Sequence, residues 1–318
     1  MDTQEKAKWL EERRNYIGAS DVGKLLLDTN GHCVHPYGSP RDVWLDKKGL
    51  VDFEDNERTL MGILLEPVVC QRFLLSGEQG SLTLTEPGTV QAPGPKATPW
   101  HRCNPDRYIE ELVTLVPGTT LVTKEGGEFR AILQIKTAGF FGAQGFGTEG
   151  TDEVPEWYLA QMQWELYCSG ADLAILGLLY DTHLYQQFLV WRDNDLINHI
   201  IKCVDNFVNN YLVPDIQPPV SDHKSDKKWL NEQWEPKPTS QLVATPEQEE
   251  VIIAAARVKQ KFDVLKKDNE LHCNRVRDII REHSEIATTC GVVTWRADKN
   301  GQRSLRLGLT IPEEAPNV

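Results

Sequence analysis

A change of hydrophobic period along the chain most limits its fold. Residues 57–75 place Leu60, Leu64, Val68 and Phe73 near helical spacing. The pattern then switches to short β-leaning runs at 82–90, 101–110, 112–116 and 129–136, divided by glycine and proline turns. Pro155 opens a helix expected to reach Ser169 and stop at Gly170. Residues 173–179 and 187–191 read as further strands, and 195–212 as another helix. Helices framing a strand-rich middle point to an α/β (α+β) domain, a central mixed sheet flanked by helices, over residues 1–213.

Local signals fill in the rest. Ser20 is expected to cap a short helix over 22–27. Ser39, Pro40 and Asp42 mark a second start, for a helix that carries Val43, Trp44 and Leu45 and stops near Gly49. The Gly-rich, aromatic-punctuated stretch 140–150 is expected to be a mobile loop, and the Pro/Ser/Lys-rich stretch 214–245 a linker. Beyond it, Val251, Ala255, Val258, Phe262, Leu265, Asn269, His272, Val276, Ile279, His283 and Ile286 alternate spacings of four and three, a heptad seam. One long helix over 246–287 and a hairpin folded near Asn269 both satisfy that pattern. Val292–Trp295 and Leu305–Leu309, around Lys299-Asn300-Gly301, read as a closing β-hairpin.

Charge bears on function. Lys plus Arg number 34 and Asp plus Glu 47, a net charge of −13. That excludes a generally basic nucleic-acid coat, but not a DNA enzyme whose local basic cleft or bound cation reverses the sign where it matters. No stretch is apolar enough for a membrane helix, and the charged N-terminus lacks a signal-peptide core, so a cytoplasmic location is expected. The seven cysteines contain no C-x-x-C pair and read as reduced thiols.

The chemistry gathers at Pro105-Asp106 and, 28 residues after the Asp, Gln134-Ile135-Lys136. On a strand, residues 134 and 136 share one face while Ile135 points into the core. Carboxylates there would supply hard oxygen ligands to Mg²⁺, and a neighbouring Lys could orient or deprotonate an attacking water. Taken alone, the pattern is equally that of a surface ion pair.

Its company is more specific. Arg13 to Asp21 (RRNYIGASD), Tyr37-Gly38-Ser39-Pro40, Met61 to Pro67 (MGILLEP), Asn104-Pro105-Asp106, Gln134-Ile135-Lys136-Thr137 and Pro155 to Gln163 (PEWYLAQMQ) occur in an order that resembles the YqaJ-type viral recombinase family. More distantly, the order is similar to that of lambda-exonuclease-like nucleases. The resemblance is dense over about residues 10–190. It implies a restriction-endonuclease-like core that degrades one strand of double-stranded DNA from the 5′ end with Mg²⁺ (or Mn²⁺), two ions to a site. It also implies a trimeric ring threaded by DNA and a single-strand annealing protein as partner in phage-type recombination. Carried over by position, Glu66, Asp106, residue 134 and the Ile135 carbonyl would surround the metal, Lys136 would be the catalytic lysine, and Arg13, Ser20 and Gln161 would hold the 5′-phosphate. An arginine fork is the right donor for that anion.

The chain departs from the family at Gln134, where Glu is expected. An amide keeps the shape but loses the charge, so metal affinity and rate should fall. Three readings follow: a deliberate Glu→Gln change that holds DNA without cutting, a naturally inactive DNA-end-binding or assembly protein, or rescue by an acid moved elsewhere, with Glu125 or Glu128 as candidates.

Overall fold

The structure is a computed structural model that describes residues 3–51, 56–76, 84–86, 88–109, 130–181, 183–235 and 241–310. The run at 112–116, Glu125 and Glu128 lie outside the described residues. The chain divides into two compact units, Met1–Glu235 and Pro236–Val318.

The first unit is built on a mixed five-stranded sheet flanked by helices. β1 (Leu84–Thr85), β4 (Arg107–Ile109), β5 (Ala131–Ala138), β6 (Leu173–Tyr180) and β7 (Leu184–Trp191) lie side by side in that order. β5 and β6 are parallel and the other neighbours antiparallel. A parallel neighbour needs a long crossover. Here it contains α6 (Glu156–Ser169), which starts after Pro155 and stops at Gly170, whose φ of +70° suits a residue without Cβ. The short ribbon β2 (Val90–Gln91) and β3 (Arg102–Cys103) lies apart from the main sheet.

Alternation along β5 divides its side chains between two apolar layers. Ala131, Leu133 and Ile135 pack with Val69 and Phe73 of α4 (Glu57–Leu74). Ile132 packs with Met162 and Leu166 of α6. Gln134 and Lys136 therefore belong to the α6 face. A third layer joins α2 (Ala19–Leu25), α3 (Pro40–Lys47), α6 and α7 (Asn194–Phe207), the last prolonged by a π-helical turn, Val208–Leu212.

Several expectations need correction. Ser20 does not cap α2; it lies inside the first turn. Asp21 accepts the Gly18 N–H at 3.0 Å, so Gly18 becomes the cap and the helix begins earlier. The stretch 140–150 opens with a helical turn, α5 (Phe140–Ala143), and Phe146 then packs on Tyr158 and Phe188, because an aromatic ring gains more buried between them than in water. The stretch 214–245 carries α8 (Lys224–Gln233), and residues up to 235 belong to the first unit. Asp226 of α8 is buried and accepts from Ser39 Oγ at 2.7 Å, while Arg41 donates to the Pro218 carbonyl at 2.7 Å and stacks on Trp229. A polar composition is equally that of a linker, but here Asp226 is hydrogen-bonded by Ser39 and Ser221 at the N-terminus of α3.

In the second unit, α9 runs unbroken from Pro246 to Ile280, capped by Thr245. No Gly or Pro follows Pro246 in that span to stop it, so the chain does not fold back at Asn269. It ends where Arg281 takes φ +52°, short of the last two seam positions. Ile286 instead joins a strand, β8 (Glu285–Thr288), which adds to the expected hairpin of β9 (Gly291–Ala297) and β10 (Arg303–Leu309) as a third strand.

Candidate active site

Asp106 stands immediately before β4, and its carboxylate reaches across to β5. Oδ2 accepts the Ile135 N–H at 2.7 Å and the Gln134 Nε2–H at 2.8 Å. β4 pairs with β5 only from Leu133 backwards, so the Asp106 side chain takes over the ladder where the strand ends. In a strand, N–H and C=O of one residue leave on the same side. The Ile135 carbonyl therefore also faces the Asp106 edge. Burial, opposed by Lys136 and the Ile135 N–H, raises the Asp106 carboxyl above its usual range.

Lys136 lies on the α6 face with its Nζ 5.3 Å from the centre of the Tyr158 ring, a cation–π contact that holds the ammonium at the strand end. Glu66 approaches from α4. It pairs with Arg107, 2.7 Å from Nη1 to Oε1, so its negative charge is matched beside Asp106 by a guanidinium on the adjoining residue. The structure thus brings Asp106, Gln134 and Ile135 together directly, with Lys136 on the same strand and Glu66 tied through Arg107.

The residues assigned to the phosphate separate into two places. Arg13, closing α1 (Thr3–Arg13), donates from Nη2 to Ser20 Oγ at 2.8 Å and lies 3.5 Å from Asp21 Oδ1. Beneath them, the buried Lys47 donates to Asp21 Oδ2 at 2.7 Å and to the Arg13 carbonyl at 3.1 Å. Burial works against the Asp21 charge, but Lys47, Arg13 and Lys24 outweigh it and hold the carboxyl far below the usual carboxylate range. Tyr16 links this group to the sheet by donating to Asn104 Oδ1 at 3.1 Å, two residues before Asp106. Gln161, on α6, donates to Glu165 Oε1 at 3.0 Å. α2 and α6 approach closely at Gly23: a Cβ there would sit 3.0 Å from Trp157 Cβ and 3.3 Å from its Cα.

Three residues matter that motif reasoning left out of the site. Asp21 and Lys47 anchor Arg13. Glu165 is the third: only 1% exposed, one helical turn beyond Gln161, it sits within electrostatic range of Asp106 and Lys136. Burial first, then the Asp106 charge, pushes its carboxyl up to about 8, against Lys136 and the Gln161 bond. A lone acid among the apolar residues 164–168 was the available signal.

The chemistry of the donors suits a hard cation. The oxygens at the Asp106 edge are those of carboxylates, an amide and a backbone carbonyl, beside the cationic Lys136 and Arg107. Two of those oxygens, Gln134 Oε1 and Glu165 Oε2, are buried without a hydrogen-bond partner. Buried polar atoms are seldom left so, and an oxygen-preferring ion such as Mg²⁺ or Mn²⁺ would be a suitable partner for oxygens of this kind. Among the described residues, no three Asp, Glu, His or Cys side chains converge as a ready-made cage. Gln134 stands where a carboxylate is expected, and Glu66 is paired with Arg107.

Residues 8–172 match the model of the YqaJ-like viral recombinase domain, more than half of the chain. The chain belongs to this family. No curated protein matches the sequence. Among solved structures, an alkaline exonuclease from Laribacter hongkongensis is similar at 16% identity and a TM-score of 0.46, over 71% of this chain and 97% of that one. A phage-related exonuclease from Haemophilus somnus 129PT is similar at 17% identity and a TM-score of 0.40, over 63% of this chain and 96% of that one. The matched YqaJ-like span takes in Arg13, Ser20, Glu66, Asp106, Gln134, Lys136, Gln161 and Glu165, and it ends just before β6.

Proposed function

We propose that the chain is a Mg²⁺-dependent exodeoxyribonuclease that degrades double-stranded DNA ends in the 5′-to-3′ direction. It would leave 3′ single-stranded tails for phage-type recombination, in the bacterial host cytoplasm, as a trimeric ring working beside a single-strand annealing protein. The reading rests on membership of the YqaJ-like family and on one observation: Asp106 is held against the Gln134 amide and the Ile135 N–H at the same strand end that presents Lys136. Among the described residues, no helix is long and apolar enough to cross a membrane.

Asp106, the Ile135 carbonyl, Gln134 and Glu66 are the groups that would hold Mg²⁺ (or Mn²⁺). Bound there, the ion would polarise the scissile phosphate and acidify a water. The chain's own residues do the positioning. Lys136, kept over Tyr158, would orient the attacking water and the scissile phosphate by donating from its ammonium. Arg13, already aimed by Ser20 and Asp21, presents its remaining N–H groups to a terminal 5′-phosphate. Gln134 lowers metal affinity and slows turnover, because its Nε2–H occupies Asp106 Oδ2 and its oxygen carries no full charge.

A second reading, a catalytically inactive DNA-end-binding or assembly protein, is favoured by that same amide bond together with the Glu66–Arg107 pair. The deciding experiment compares the chain with Gln134→Glu on linear duplex DNA, with and without a 5′-phosphate, in Mg²⁺ and in EDTA. Faster digestion by the Glu variant, in Mg²⁺ only and preferring the phosphate, is expected for the nuclease. DNA-end binding without cutting by either protein would establish the second reading.

A further inference from the structure

We infer that Glu165 is a metal ligand of this site, supplying from α6 the carboxylate that position 134 does not; the inference rests on the metal-dependent reading above. Three observations meet on this residue.

The first is its cost. A glutamate that is 1% exposed on a helix packed against a sheet loses its hydration, and ordinarily it is retained only where something repays the loss. The described structure gives the Glu165 side chain one hydrogen bond, from Gln161 to Oε1, and no salt bridge; Oε2 is buried with no partner. One bond from a neutral amide does not balance a buried carboxylate.

The second is its neighbourhood. Gln134 is 3% exposed and lies on the β5 face that packs against α6, and its Oε1 is likewise buried without a partner. Its Nε2 is committed to Asp106, so the amide oxygen, not the nitrogen, is what remains to be satisfied. Two unpartnered oxygens on one side of the sheet, beside Asp106, make a set that a hydrogen-bond donor or a cation could complete. Lys136, the nearest positive charge on that face, is drawn over Tyr158.

The third is charge. With a divalent cation bound, Asp106 and Glu165 would supply the two negative charges that balance it, Glu165 giving up its proton to the solvent, while Glu66 is neutralised by Arg107. Glu125 and Glu128 are not needed to restore the charge. Gln161 then acts as a positioning residue, holding Oε1 so that Oε2 is left for the ion.

The test is Mn²⁺ affinity without DNA, read calorimetrically and from the paramagnetic resonance signal of free Mn²⁺, on the full chain, Glu165→Gln, Gln134→Glu and the double variant. Glu165→Gln keeps the shape and the Gln161 bond and removes the buried charge, so it should fold at least as well; circular dichroism confirms this. The full chain should bind Mn²⁺, and Glu165→Gln should bind at least ten-fold more weakly. Gln134→Glu should recover the loss in the double variant. Unchanged affinity in Glu165→Gln overturns the inference. Binding by Gln134→Glu but not by the full chain also overturns it while leaving the metal-dependent reading standing. Absence of binding in all four proteins removes both.

Discussion

Gln134 Nε2 donates to Asp106 Oδ2 at 2.8 Å, a bond that an ionised carboxylate at position 134 could not make. A carboxylate there would face a carboxylate. In metal-free protein, Gln134→Glu should therefore lower the melting temperature, because one of the pair must keep a proton or both must repel. Saturating Mg²⁺ should restore it above the parent's. Melting curves in EDTA and in Mg²⁺ give the comparison, and an equal shift in both would show that the ion does not sit between these two side chains.

Glu165 carries a second, opposite effect on stability. Its folded carboxyl lies near 8, above the unfolded value of about 4.3. Below the unfolded value it is protonated in both states and costs nothing. As pH rises between the two values, the unfolded chain loses its proton first, and folding is penalised increasingly up to about pH 8. Glu165→Gln in EDTA should thus match the parent at pH 4 and exceed it at pH 8 by an amount on the order of a few kcal/mol. Urea unfolding at the two pH values measures it; a constant difference would contradict the burial of an ionising group.

Beneath the Arg13 group, Lys47 and Asp21 form an ion pair in which both side chains are almost wholly buried. Removing one partner strands the other. Lys47→Met should destabilise the first unit by about 3–5 kcal/mol at neutral pH. Because the folded Asp21 carboxyl is depressed, its contribution is fully present above the unfolded value of about 3.9 and is lost as pH falls below it. The parent should lose stability there more steeply than Lys47→Met, as chemical unfolding down to pH 2 would reveal.

Gly23 sets how closely α2 packs against Trp157 of α6. Glycine to alanine within a helix normally gains up to about 1 kcal/mol. Here the new methyl would meet Trp157 Cβ at 3.0 Å and its Cα at 3.3 Å, atoms that cannot swing away, and such overpacking costs about 1–3 kcal/mol. Gly23→Ala should therefore lose stability on balance and weaken any preference for 5′-phosphorylated ends. A gain in melting temperature would contradict this packing.

Local patterns carried much of the site. The alternation that puts Gln134 and Lys136 on one face, the Pro155 and Gly170 limits of α6 and the Ser39 cap of α3 are all properties of a few adjacent residues, and each is found. Ser20 failed as a cap because the local choice had a competitor one residue away: Asp21 reached the Gly18 N–H, and nothing in composition ranks one oxygen above the other. The fate of 214–235 depended on partners nearly two hundred residues distant, Ser39 and Arg41.

By itself the sequence determined the mixed sheet, the order of its motifs and the shared face of Gln134 and Lys136, since hydrophobic period and spacing act within one element or between neighbours. Only the tertiary structure decided which charges are paired. Glu66 turns to Arg107, Lys47 lies buried under Asp21, and Glu165 is left with an unpartnered oxygen. Burial and pairing are relations between elements packed from distant parts of the chain, and they determine whether an acid remains available to hold a cation.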